Sequence, residues 1–268
     1  MPEDLRLRVE SNRPLGASYF LLAAAAASDL PVWEAGQFAM IALGGRADPL
    51  LRRPFSIYNL PAAGRPPRSV EVLYKILGRG TALLAAARPG DELAFLLPLG
   101  RGFAPRRRPG DQLLLVAGGV GIASLHPLAA AEARAGRSPL LLFGCRTAAE
   151  APAAGPTRDL GVETLLSTDD GTAGRRGLVT DLLDRTLVER GGSGRIICAC
   201  GPTPMMKATA EVARRHGVPC WLSLESAMAC GFGVCVGCVV GVRGRDGGVR
   251  YVRTCIEGPV MDAAEMVW

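Results

Sequence analysis

The sequence is poor in aromatic residues, 5% of 268, and holds only two histidines. Lysine is nearly missing: Lys75 and Lys207 are the two lysines among 31 basic residues. The chain carries a net charge of +6, but its arginines are scattered and few rings are interleaved with them. A nucleic-acid surface is therefore not expected, and the charge reads as solvated surface. His126 falls early in a helical stretch and His216 ends another beside Gly217, so neither is expected to act as a general acid or base. Long apolar runs are missing too. The run from Phe20 to Ala27 is far short of the roughly 20 residues that cross a bilayer. MPEDLRLRVE carries acids where a secretory signal has its apolar core. The expectation is a soluble, cytoplasmic chain with neither membrane nor nucleic acid as partner. Disulfides are disfavoured there, and clustered cysteines point to metal or redox chemistry.

What is present is ample core material, with 49% apolar residues. That length suits two domains and a small third. The first hundred residues show short apolar or alternating runs (LRLRVE, SYFLLA, QFAMIAL, SVEVLYKIL, DELAFLLPL) cut by Gly and Pro, which predicts an antiparallel β-barrel over 1–103. From Gly110 strands alternate with helices: DQLLLVA, LHPLAAAEARAG, PLLLFGC, VETLLST, GLVTDLLDRTL, GRIICACG, TPMMKATAEVARRHG and CWLSLE. This predicts a doubly wound parallel-sheet nucleotide domain over 104–222. TAAEAPAAGPTRD reads as a flexible loop. Residues 223–268 form a Gly- and Cys-rich module. The fold class is thus β plus α/β with a C-terminal Cys-rich unit.

Gly118, Gly119, Gly121 and Ala123 lie between a strand and a helix, where backbone can approach a pyrophosphate and the helix start offers free N–H groups. The spacing is not G-x-G-x-x-G, and the loop alone fits equally a tight turn with no ligand. Cys200, Gly201 and Pro202 follow another strand, at the strand end where open α/β sheets bind ligands. In the β-rich half, RRPFSIY offers Arg53 as a diphosphate fork and Ser56 as a hydroxyl for a ring nitrogen, although RRP also reads as a surface turn and FSIY as a core strand. Gly78, Gly80 and Thr81 make a second turn fit for phosphate.

Cys230, Cys235 and Cys238 are spaced C-x4-C-x2-C, and Cys255 follows after a gap of sixteen residues. The triplet has the plant-type 2Fe–2S ligand spacing. Ala229, Gly231, Gly233 and Gly237 leave room for N–H groups to reach the sulfurs. Four thiolates also suit zinc, but zinc ribbons present paired CxxC knuckles and only one CxxC is here. Cys145, Cys198 and Cys220 stand apart on apolar strands and read as core.

A barrel with R-P-F-S, followed by G-G-V-G-I-A and C-G-P, resembles the ferredoxin–NADP reductase superfamily. With SLESAMACGFGVCVGC and RTCIEGPVMDAAEMVW added, nearly the whole chain is similar to the electron-transfer subunits of class B, NAD-dependent dihydroorotate dehydrogenases. The resemblance implies FAD in the barrel, held by Arg53, Pro54, Phe55, Ser56, Leu73, Tyr74, Lys75, Gly80 and Thr81. It implies NAD on Gly118 to Ala123, with Cys200 near the nicotinamide, and a 2Fe–2S cluster on Cys230, Cys235, Cys238 and Cys255. It further implies an FMN-containing dihydroorotate dehydrogenase partner, as two copies of each chain, and a role in pyrimidine biosynthesis. One departure is SLESAM, where a basic residue is expected at Ser226 or Ala227. On the same scaffold the alternatives are a ferredoxin–NADP reductase or a sulfide dehydrogenase subunit; in another class, a zinc-stabilised nucleotide-binding module. Four cysteines favour the dihydroorotate enzyme, since some relatives carry Asp at one ligand position.

Overall fold

A computed structural model describes residues 1–43, 49–62, 64–105, 107–244 and 246–268. Seven elements make the first unit: β1 (Glu3–Pro14), β2 (Tyr19–Ala25), β3 (Phe38–Ala42), β4 (Arg53–Ser56), β5 (Ser69–Lys75), the short helix α1 (Arg79–Ala85) and β6 (Glu92–Leu99). The strands form one antiparallel sheet in the order β4-β3-β6-β1-β2-β5, and its end strands β4 and β5 approach each other to nearly close a barrel. Period-two burial drives the curl. In β6, Leu93, Phe95, Leu97 and Leu99 point inward while their neighbours do not.

The second unit alternates as its sequence predicts. It contains β7 (Gln112–Gly118), α2 (Ile122–Arg134), β8 (Leu140–Cys145), α3 (Gly155–Arg158), β9 (Glu163–Thr168), the two-residue β10 (Arg175–Arg176), α4 (Val179–Arg190), β11 (Arg195–Cys200), α5 (Thr203–His216) and β12 (Cys220–Ser223). Both sheet faces are covered, so its strands are apolar throughout. Leu113, Leu115 and Ala117 of β7 pack with Ile122 and Leu125 of α2; Leu114 and Val116 pack with Leu183 of α4 and Met206 of α5.

The remaining strands are β13 (Val239–Arg243), β14 (Val249–Arg253), β15 (Val260–Asp262) and β16 (Met266–Val267). Strands β14, β13 and β16 make a small sheet. β15 instead pairs antiparallel with β12, giving the seven-stranded order β10-β9-β8-β7-β11-β12-β15. The C-terminal segment is thus stitched into the parallel sheet. The switch point of the double winding falls between β7 and β11, the crevice where such sheets take ligands.

The stretch expected to be a flexible loop is ordered. Ala148–Ala154 is a 3₁₀ segment that continues into α3, with Ala153, Ala154 and Thr157 buried. Its alanines are small enough to pack against the α2 side of the sheet, which the Pro and Gly punctuation hid. Further ties join the two units. The Arg134 guanidinium donates to the carbonyls of Pro61 (2.7 Å) and Leu60 (3.0 Å), and the Tyr58 ring stacks on His126 with centroids 4.1 Å apart.

Candidate functional site

Two of the cavities along the junction of barrel and parallel sheet share part of their lining. The larger, about 620 Å³, is walled by Arg53, Pro54, Phe55 and Ser56 of β4, Leu73, Tyr74 and Lys75 of β5, and Gly80 and Thr81 of α1. All nine barrel residues expected at a flavin site therefore share one cavity, of a size that takes a cofactor. Its far wall comes from Val120, Gly121, Ala123 and Cys200 of the nucleotide domain, and its third side from Glu225, Ser226 and Met228. β4 carries Arg53 and α1 brings Gly80 beside it: a Cβ on Gly80 would lie 2.9 Å from Leu43 and 3.6 Å from Arg53 Nε. The Arg53 guanidinium also donates to the Leu51 carbonyl at 2.6 Å, leaving other N–H groups of its fork for an anion. Arg52 instead donates from Nη2 to both carboxylate oxygens of Asp4. Thr81 Oγ1 accepts from the N–H groups of Leu77 and Gly78, so this hydroxyl shapes the loop.

The smaller cavity, about 430 Å³, holds Gly118, Gly119 and Pro202, together with Asp169, Glu150 and Met205. The glycine loop is therefore divided: Gly118 and Gly119 face this cavity, whereas Gly121 and Ala123 face the larger one. Gly121 has a packing reason of its own, since a Cβ there would overlap the Cys200 carbonyl. Gly201 backs the wall rather than lining it; its Cβ would sit 2.8 Å from Met205 and 3.1 Å from Gly118 Cα. Cys200 faces the larger cavity, and burial pushes its thiol up to about 12, so it stays protonated there. The other isolated thiols are buried as expected, although Cys145 also touches the smaller cavity.

Lys75, Leu77, Val120 and Glu225 line both cavities and form the passage between them. Glu225 was not singled out from sequence. It follows the C-terminal end of β12, and the strand-end rule that flagged Cys200 would have found it. Burial raises its carboxyl above the ordinary range, while its open surface faces the cavities. His126 stays outside this chemistry: burial lowers it to about 4, and its Nδ1 lies 2.8 Å from the Thr157 hydroxyl.

The four module cysteines stand as two pairs. Cys238 and Cys255 are buried with their sulfurs 3.2 Å apart, and the Cys235 N–H donates to Cys230 Sγ at 3.5 Å. Burial pushes the Cys230 thiol up, but N–H groups of Cys235, Phe232 and Val234 outweigh it and bring it down to about 6. Burial and the neighbouring Cys238 push Cys255 up to about 12. Two thiol pairs suit a binuclear iron centre, each iron taking two. The loop is shaped for this: Gly231 and Gly233 have φ of +81° and +88°, and even Val236 is held at +58°, a costly conformation for a β-branched residue. Of the nearby arginines, Arg253 donates to the Gly233 carbonyl at 2.9 Å; Arg243 and Arg250 lie exposed on the β13–β14 hairpin, and Arg245 lies outside the described residues.

Residues 225–267 match the family described as the iron–sulfur cluster binding domain of dihydroorotate dehydrogenase B. The dihydroorotate dehydrogenase B (NAD(+)) electron transfer subunit of Geobacillus thermodenitrificans is 37% identical over 263 residues, 98% of this chain and 98% of that protein. The chain belongs to the family of dihydroorotate dehydrogenase B electron transfer subunits. An Aquifex aeolicus homolog of the family is 37% identical over 237 residues, 87% of this chain and 86% of its own. Among solved structures, that of an NADH-dependent reduced ferredoxin-NADP oxidoreductase, described in work on flavin-based electron bifurcation, superposes with a TM-score of 0.83 at 29% identity over 98% of this chain and 90% of its own. The ferredoxin reductase in carbazole 1,9a-dioxygenase superposes at 0.67 with 24% identity over 81% of this chain and 67% of its own, and shares the fold. No helix among the described residues is long and apolar enough to cross a membrane.

Proposed function

We propose that this chain carries electrons from a dihydroorotate-oxidising catalytic subunit to NAD+, with FAD in the larger cavity, NAD in the smaller and a 2Fe–2S cluster on Cys230, Cys235, Cys238 and Cys255. The observation that carries the reading is the position of Phe38. Its ring lines the larger cavity and belongs to the same buried cluster as Met40, Leu99, Cys238 and Cys255, with Met228 packed alongside, so the buried thiol pair backs onto the flavin wall. Across that cavity, Val120 and Glu225 open onto the nucleotide side. Thiols, larger cavity and smaller cavity thus lie in series.

When bound, the cluster supplies one-electron transfer, the flavin converts single electrons to pairs, and NAD+ takes a hydride; the protein supplies position and electrostatics. Arg53 meets a diphosphate with its fork, and Ser56 offers a hydroxyl beside it. Gly118 and Gly119 let a second diphosphate approach the start of α2, where N–H groups are unpaired. N–H groups of the 230–235 loop hold negative charge on sulfur.

The docking face for the partner, an FMN-containing catalytic subunit in an assembly of two copies of each chain, is the cluster loop. Phe232, Val234 and Val236 are 48%, 72% and 54% exposed there, and large apolar side chains left exposed on one loop offer a surface for a partner. The chain alone is expected to reduce artificial dyes with NADH and to leave dihydroorotate untouched. Co-expressed with its partner, it should couple dihydroorotate oxidation to NAD+ reduction. Dihydroorotate turnover by the chain alone, or coupling that survives removal of the cluster, overturns the proposal. Coupling to ferredoxin or sulfide in place of dihydroorotate would assign the scaffold to another donor.

A further inference from the structure

In the passage between the two cavities, the Lys75 ammonium stands 2.7 Å from Glu150 Oε1, and the two side chains are only 13% and 11% exposed. Lys75 ends β5 of the barrel and lines both cavities; Glu150 comes from the 3₁₀ segment of the other domain and lines the smaller one. The second carboxylate oxygen is also taken by the barrel. Tyr19, the cross-strand neighbour of Lys75, donates its hydroxyl to Glu150 Oε2 at 3.2 Å, and the ammonium lies 5.0 Å from the centre of the Tyr19 ring. Pro152 of the same segment rests on Gly16 at the β1–β2 turn, with 3.4 Å between its Cγ and the place of a Gly16 Cβ. Glu150 is thus fixed from both sides.

We propose that Glu150 is a positioning residue that sets the flavin's hold on electrons through Lys75. The inference rests on the flavin reading of the larger cavity. A cation in the wall of a flavin site favours the reduced cofactor, which is the more negative form, and the effect is strong where water is excluded. An unpaired Lys75 would therefore oppose delivery of electrons to NAD+. Glu150 compensates the Lys75 charge at that point of the wall. Because the two charges sit on different domains, the compensation exists only while barrel and nucleotide domain are docked.

The test is spectroelectrochemical titration of the bound flavin in the FAD-loaded chain, for wild type, Glu150→Gln, Lys75→Gln and the double variant. Glu150→Gln should shift the flavin toward its reduced form by about tenfold, about 30 mV for a two-electron couple. Lys75→Gln should shift it the other way, and the double variant should return to within about threefold of wild type. Glu150→Asp, which keeps the charge, should recover most of the wild-type value. A Glu150→Gln flavin titrating as wild type, or moving toward the oxidised form, overturns the inference. If that variant does not fold, the neutral double variant still decides: a titration matching Lys75→Gln alone shows that Glu150 exerts no control. A wild-type chain that holds no FAD would instead overturn the flavin reading itself.

Discussion

Replacing Gly231 by Ala tests whether the cluster loop is shaped by its glycines or merely tolerates them. Gly231 separates Cys230 from the rest of the triplet and sits at φ +81°, where an L-residue costs about 1–2 kcal/mol. Its Cβ would fall within van der Waals overlap of Met40 Cγ and 2.9 Å from Met40 Sδ. Met40 is fully buried between Phe38, Leu99 and Cys238, so it has little room to yield, and overpacking of this kind adds about 1–3 kcal/mol. The sum, roughly 3 kcal/mol, corresponds to about a hundredfold change in the equilibrium between the ligand-competent loop and displaced forms. Gly237→Ala is the matched control. Its Cβ meets Cys235 Sγ at 3.6 Å, an ordinary contact, and its φ lies outside the left-handed region. Iron and acid-labile sulfide per FAD, with the EPR signal of the reduced protein, give the readout. Gly231→Ala should lose most of its iron while keeping FAD, and Gly237→Ala should keep both. Full iron and sulfide in Gly231→Ala would refute the reasoning.

Cys235→Ser removes the exposed thiol of the Cys230–Cys235 pair, so the EPR signal should vanish while FAD absorbance stays; an unchanged signal would remove this cysteine from the ligand set. Arg53→Ala should weaken FAD binding by about ten- to a hundredfold, since a charge-assisted contact contributes roughly 1.5–3 kcal/mol; dilution followed by flavin fluorescence measures it, and full retention counts against the site. Glu132→Gln should lower stability by about 2 kcal/mol, because this buried carboxylate accepts hydrogen bonds from Arg107 and Arg137. Burial alone would raise the Glu132 carboxyl, but those guanidiniums outweigh it and hold it below the usual range. Its contribution is therefore present above the unfolded value, about 4.3, and lost as pH falls through the depressed folded one. Thermal melts of wild type and variant should converge below about pH 4, and a gap that widens there would reverse the assignment.

The fold was legible because its signals are local. Strand runs from Leu113 to Leu222 alternate with helices at βαβ spacing, and the barrel strands are cut by turn residues. Six of the nine barrel positions stood out in the R-P-F-S and G-R-G-T segments, whereas Leu73, Tyr74 and Lys75 entered only through the family resemblance. What escaped depends on contacts between elements distant in sequence. Nothing local to Glu150 says that Lys75, 75 residues earlier, takes its charge. The alanine-rich segment around it reads as loop because its burial comes from tertiary packing. Phe38 reads as one more barrel residue until Cys238 and Cys255 fold back onto it. The division of the glycine loop between two cavities follows from how β4, β5 and α1 face the switch point, which periodicity cannot report.

The pairing of β15 with β12 bears on how this chain avoids sticking to itself. A parallel sheet ending at β12 would present a row of unsatisfied N–H and C=O groups, a template for another chain to add to. β15 seals that row through the pairs Trp221–Asp262, Leu222–Met261 and Ser223–Val260. The same segment that reaches back from the thiol loop is thus the selvedge of the sheet. A chain trimmed after residue 222 would shed more than a redox module: it would gain an adhesive margin, and self-association would set in even with barrel and nucleotide domain intact.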